Sequence, residues 1–261
     1  MIVWTVANQK GGVGKTTTVI SLAGLLAERG HRVLLIDTDP HASLTSYLGY
    51  DSDLIDGTLY ELFQTHSPDK ATVLRYTLKT PFEGLDIIPA NMALATLDRV
   101  LGNREGMGLF LKRALDQVRD DYDYVLIDCP PVLGVMMVNA LAACSRILVP
   151  VQTEFLALKG LERMIRTFDI MQRSRPQPFK YCVIPTMFDK RTKASLNTLQ
   201  AIKDKHPRDA WNSVIPIDTK FRDASLKHIP PSAFSRNCRG VFAYETLLNH
   251  LQQLENKEQS K

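Results

Sequence analysis

The chain has 261 residues, with 32 Lys+Arg against 28 Asp+Glu for a net charge of +4, and 44% hydrophobic with 23% charged residues. That balance excludes a disordered or fibrous chain, and a chain of this length can bury enough surface to fold without disulfide or metal staples. No apolar run reaches the roughly 18 residues of a membrane span, and the opening Met1-Ile2-Val3-Trp4 does not resemble a secretory leader, so a soluble cytoplasmic protein is expected.

In chain order, short apolar and β-branched runs predict strands over 2–6, 33–36, 85–88, 124–127, 147–151, 181–184 and 214–217. Helical patterns lie between them, including 15–29, 108–119, 156–173 and 191–205, with Gly30 where a helix-terminating glycine belongs. Most strand runs are continuously apolar, as expected where helices cover both faces of a sheet. The alternation predicts one α/β domain over 1–261: a doubly wound, mostly parallel sheet ending in a docked C-terminal helix.

The first strand runs into Asn8-Gln9-Lys10-Gly11-Gly12-Val13-Gly14-Lys15-Thr16-Thr17, and a helix follows. Glycines let the backbone curl so that successive N–H groups face a phosphate at the positive end of the helix. Lys15 then reaches the β- and γ-phosphates, and the Thr16 hydroxyl is placed to ligate Mg²⁺. The usual spacing puts a glycine five residues before Gly14, where this chain has Gln9. Two further strands end in acids, Ile36-Asp37-Thr38-Asp39-Pro40 and Ile127-Asp128-Cys129-Pro130. Carboxylates at the C-terminal ends of parallel strands enter the crevice where such sheets bind ligands, although each could also be a helix-capping Asp.

The Lys10–Thr17 stretch is similar to the deviant Walker A sequence of the ParA/MinD ATPase family, and the preceding Asn-Gln resembles its ParA/Soj branch. The resemblance implies a P-loop NTPase of the SIMIBI type that binds ATP and Mg²⁺ through Gly11, Gly12, Val13, Gly14, Lys15, Thr16 and Thr17. It implies that Lys10 crosses to the partner's nucleotide in a homodimer, that Asp39 positions the attacking water, and that Asp37 and Asp128 serve the metal. Ile215-Pro216-Ile217-Asp218 resembles the stretch beside adenine, and Thr186-Met187-Phe188-Asp189-Lys190-Arg191 resembles a Soj-like stretch. Arg191, with Lys220 or Arg222, matches or neighbours the family's non-specific DNA-binding arginines. The wording around Thr38, His41-Ala42-Ser43 and 134–139 resembles the ParC subgroup, which positions chemotaxis arrays at cell poles. A short form without a preceding DNA-binding domain is expected, nucleoid-associated and polar, with an adaptor or cargo protein that stimulates slow hydrolysis.

Charge supports a polyanionic partner. Residues 159–240 hold 17 of the 32 basic but only 7 of the 28 acidic residues, a local excess of +10. A membrane-binding end of the MinD type is disfavoured, because the stripe Tyr244, Leu247, Leu248, Leu251 and Leu254 is flanked by Glu245, Glu255 and Glu258. Cys129, Cys144, Cys182 and Cys238 form no Cys-x-x-Cys pair and read as buried thiols rather than cluster ligands. The alternatives are a P-loop metabolic enzyme of the dethiobiotin-synthetase type and a non-catalytic scaffold.

Overall fold

A computed structural model describes residues 1–65, 67–97, 99, 106–173 and 177–259. The apolar runs form strands β1 Ile2–Val6, β2 Val33–Asp37, β3 Leu78–Lys79, β4 Leu85–Ile88, β5 Tyr124–Asp128, β6 Arg146–Gln152 and β7 Tyr181–Thr186. They build one sheet in the order β3-β4-β2-β5-β1-β6-β7, parallel except where β3 meets β4. Between and after them lie α1 Lys15–Glu28, α2 Ser43–Tyr47, α3 Leu59–Gln64, α4 Lys70–Arg75, α5 Phe110–Gln117, α6 Val135–Ala143, α7 Phe155–Gln172, α8 Lys193–Lys205, α9 Lys220–Leu226, α10 Pro231–Phe234 and α11 Arg239–Gln259.

Alternate residues of each strand serve opposite faces. Leu34 and Ile36 enter a core with Phe110, Met137, Leu161 and Met164, whereas Val33 and Leu35 enter another with Leu22, Leu26, Tyr244 and Leu247. Helices on both faces therefore explain the continuous apolar runs. From β1 the chain fills one side with β2, β3 and β4, returns to place β5 beside β1, and then continues through β6 and β7 on the other side, so β1 and β5 flank a topological switch point.

Two local expectations are corrected, and one strand had not been expected. Residues 214–217 form no strand; Ile215 N–H donates to Pro185 and Ile217 N–H to Phe188, but Pro216 has no N–H to extend a ladder. The two-residue β3 was unmarked in the sequence because so short a run carries no period. On α8 the sequence pattern puts Leu196, Leu199 and Ile202 on one apolar face, yet the buried positions are Ser195, Thr198 and Ile202, and Leu196 is 47% exposed. Hydrogen bonds decide that rotation. Ser195 Oγ is 2.6 Å from Thr153 Oγ1 and accepts the Asp189 N–H at 3.1 Å.

Helix α11 packs on α1, burying Tyr244, Leu247, Leu248 and Leu251. Its acids are not all solvated. Buried Glu255 accepts the Trp4 indole N–H at 3.0 Å and Arg146 Nε at 2.8 Å, while Glu258 pairs with Arg146 and Lys180. Among the described residues no helix is long and apolar enough to cross a membrane.

Candidate functional site

The loop after β1 turns through Gly12 at φ +72° and Gly14 at φ +91°, a left-handed conformation that is costly for other residues. Neighbouring elements hold it. Asn8 Nδ2 donates to Pro150 O at 2.8 Å and Asn8 Oδ1 accepts the Lys10 N–H at 3.0 Å. Gln9 donates to Thr167 on α7, and Thr186 at the end of β7 donates to the Val13 carbonyl at 2.9 Å. Gly14 then leads directly into α1, whose first residue, Lys15, is buried. The first N–H groups of α1 have no partner within the helix, which makes this end an anion site with a cation built into it.

Asp37 and Asp128 lie side by side in the β2–β5 register. Burial raises both carboxyls above the usual carboxylate range, and the neighbouring Asp37 charge raises Asp128 further. Their environments differ. Asp37 Oδ2 accepts the Thr45 N–H at 2.9 Å and hydroxyl at 2.8 Å, and its Oδ1 accepts the Asp39 N–H at 3.1 Å. Asp37 therefore shapes the turn into α2 and has little left to offer a ligand. Asp128 Oδ2 accepts the Thr16 hydroxyl at 2.6 Å, but its buried Oδ1 has no hydrogen-bond partner among the described residues. An unmatched buried carboxylate oxygen beside a threonine hydroxyl suits a hard cation with oxygen ligands. Among the described residues no group of three or more His, Cys, Asp or Glu could hold a metal. Mg²⁺ here would draw most of its ligands from phosphate and water, as it ordinarily does.

Asp39 sits at the rim, where its Oδ1 accepts the His41 N–H at 3.0 Å and lies 2.9 Å from His41 Nδ1. Lys10 stands on the other side of the loop and pairs with Glu154, the residue before α7. Two cavities flank the head of α1. One of about 370 Å³ is lined by Gly14, Thr17, Thr186, Met187, Pro216 and Tyr244, among others, and has the size of a nucleoside site. The other, of about 420 Å³, is lined by Thr16, Thr17, Ser43, Ser46, Tyr47 and Arg222. A larger cavity of about 620 Å³ includes Arg32, Lys79 and Asp86, at the opposite ends of β2 and β4, and is remote from this chemistry.

The three candidate polyanion contacts separate. Arg191 lies outside α8, on the turn before it, and forms a bidentate pair with Asp189. With Lys190 and Arg239 it lines a cavity of about 410 Å³ walled by Pro216, Ile217 and Asp218. Lys220 begins α9 beside that wall, pairs with Asp223 at 3.2 Å, and lies 5.8 Å from the centre of the Phe234 ring. Arg222 turns instead toward Thr16 and Thr17 and lines both cavities at the head of α1.

Sequence reasoning missed Thr45, the contact of His41 with Asp39, and the role of Glu154. An Asp followed eight residues later by Thr carries no periodic signal, and Lys10 and Glu154 are 144 residues apart. Only the fold brings the latter together.

Three comparisons bear on this arrangement. Residues 1–180 match the family described as AAA domain. The chain is 35% identical over 240 residues to the sporulation initiation inhibitor protein Soj of Bacillus subtilis, covering 92% of this chain and 93% of that one. It is 36% identical over 262 residues to the chromosome partitioning protein ParA of Caulobacter vibrioides, covering 99% and 97%. Among solved structures, cobyrinic acid a,c-diamide synthase from Mycobacterium smegmatis with bound ADP and magnesium superposes with a TM-score of 0.82 at 34% identity, covering 97% of this chain and 94% of that one.

Proposed function

From the premise that the chain belongs to the ParA/Soj family of P-loop ATPases, we propose that it binds Mg-ATP, closes as a homodimer around the nucleotides, binds DNA without sequence preference, and is released by slow hydrolysis. The observation that carries this reading is the glycine-turned loop heading α1, with Lys15 and the Thr16–Asp128 pair at one point. The Caulobacter vibrioides relative, named a chromosome partitioning protein, supplies the partitioning class. The local wording around 38–43 and 134–139 favours polar chemotaxis arrays as cargo over a chromosome or plasmid, with an adaptor that stimulates turnover.

The reaction is attack of water on the γ-phosphorus with cleavage of its bond to the ADP oxygen. The loop N–H groups and Lys15 hold the β- and γ-phosphates against the charge that builds as that bond breaks. Mg²⁺, when bound, offsets the same charge, with Thr16 and Asp128 as its protein side. Asp39, at the rim, orients the attacking water. Lys10 exchanges Glu154 for the nucleotide of the partner subunit, adding a cation in trans. Pro216 packs against the base.

Arg191 and Lys220 provide the DNA surface, exchanging Asp189 and Asp223 for phosphates. One protomer offers few such contacts, so dimerisation is what makes binding tight. Fluorescence anisotropy on two unrelated duplexes should show binding with ATP only, equal on both. If the dimer neutralises about four to six phosphates, log affinity falls against log salt with a slope near −4 to −5. Arg191→Glu with Lys220→Glu should abolish binding and leave ATP-driven dimerisation intact. Equal binding in all nucleotide states would sink the DNA reading.

The name of the superposable diamide synthase favours a second reading, a P-loop enzyme that activates a small carboxylated substrate. Turnover that requires such a substrate, and is unaffected by DNA or a partner protein, would establish it instead.

A further inference from the structure

Among the candidate DNA-contacting cations, Arg222 is the exception. Arg191 and Lys220 each lie against an acid, but among the described residues the Arg222 guanidinium has neither hydrogen bond nor ion pair. The two acids near it in sequence are occupied elsewhere. Asp218 accepts the Lys220 and Gly240 N–H groups, and Asp223 takes the Lys220 ammonium. Ala224 is the residue that the short helix α9 buries, while Arg222, on the other side of that helix, borders Thr16 and Thr17 at the head of α1.

Arg222 is shared by both cavities that flank the phosphate loop. On one side it borders Gly14, Thr17 and Pro216, and on the other Thr16, Ser43 and Tyr47. In a loop of this kind the lysine serves the β- and γ-phosphates and the first threonine the Mg²⁺, while the backbone cradles the α- and β-phosphates. Thr17, one residue further into α1, is common to both cavities. The group that joins a base in the first cavity to the phosphates at Lys15 is the α-phosphate. An unpaired guanidinium at that junction has the charge and the fork of donors to bind it.

We propose that Arg222 is a nucleotide-binding residue that closes over the α-phosphate of a nucleoside di- or triphosphate in its own protomer. It is then not part of the DNA surface that its neighbour Lys220 belongs to. The assignment rests on the ATPase reading above and adds to it a cation that the loop motif does not include.

The test is isothermal calorimetry with Mg-ATP and Mg-ADP on the full chain. Arg222→Ala is expected to weaken both nucleotides by about 10- to 100-fold, the worth of a charge-assisted hydrogen bond or two. The losses should be equal, because the α-phosphate is common to both. Arg222→Lys should recover part of the affinity. Lys227→Ala, which removes an exposed cation at the C-cap of the same helix, should leave it unchanged. Wild-type affinity in Arg222→Ala, or a loss confined to ATP, overturns the assignment. So does wild-type nucleotide affinity combined with weakened DNA binding, which would make Arg222 a DNA contact. If the wild-type chain itself binds neither nucleotide, the ATPase reading falls and takes the assignment with it.

Discussion

Lys15 and Asp128 test the site at its smallest scale. Removing the Lys15 ammonium takes away charge-assisted contacts worth about 1.5–3 kcal/mol each, so Lys15→Ala should weaken Mg-ATP binding at least about tenfold by calorimetry. Asp128 makes a prediction about pH. Its carboxyl is raised above the ordinary value of 3.8, first by burial and then by the Asp37 charge. Above that ordinary value the unfolded chain has released a proton that the folded chain still holds, so raising pH favours unfolding. In denaturant titrations without nucleotide, wild type should therefore lose stability relative to Asp128→Asn as pH rises from the carboxylate range toward neutrality. A constant difference across that range would show that the pair is not protonated in the folded state.

Elements decide what the single residues can do. Lys10 belongs to the loop and Glu154 to the lead-in of α7, so their ion pair ties two elements at the edge of the site. In light scattering with ATP, Lys10→Ala should still bind nucleotide through Lys15 but remain monomeric. Asp39→Ala should do the reverse, accumulating an ATP dimer that turns over slowly. A normal dimer from the Lys10 variant would end the case for a lysine acting in trans. The loop was legible in the sequence because its chemistry is local: glycines, lysine and threonine follow one another along a single turn. Asp37 and Asp128 were legible as strand ends, but their difference was not, because Thr45 reaches Asp37 only once α2 folds back over β2. The orientation of α8 was misread for a similar reason. Leu196 satisfies an apolar period, yet the bonds of Ser195 to Thr153 and Asp189 set which face turns inward. Direction on a short helix is equally hidden, which is why Lys220 and Arg222 were indistinguishable before the fold placed α9. One wall, Pro216–Asp218, borders both the base-sized cavity and the Arg191 cavity. Under the proposed function, a base on one side of that wall would lie a single thickness of backbone from the Arg191 side chain.

At the scale of the whole molecule, the parallel sheet and its two-sided helices followed from continuous apolar runs, because period and length are carried by the chain itself. The closure by α11 was legible only as an apolar stripe. In the sequence its acids argue only against a membrane surface, but Glu255 is buried against Arg146 and Trp4. Without Glu255 the buried Trp4 indole N–H has lost its acceptor and Arg146 keeps only Glu258, so Glu255→Ala should cost about 1–3 kcal/mol in chemical denaturation. Glu258→Ala, at the wet end of the same network, should cost about 1 kcal/mol or less.

That network also orders events during synthesis. Trp4 leaves the ribosome 251 residues ahead of its partner Glu255. Until then Arg146 and the Trp4 indole have no acid to meet, and the face of the sheet that α11 covers stays open to water. Contacts of such long sequence separation form late and leave apolar surface exposed meanwhile. A nascent chain stalled before residue 255 should therefore be cut by protease within the core that the finished chain protects, and should engage holding chaperones that the released protein ignores.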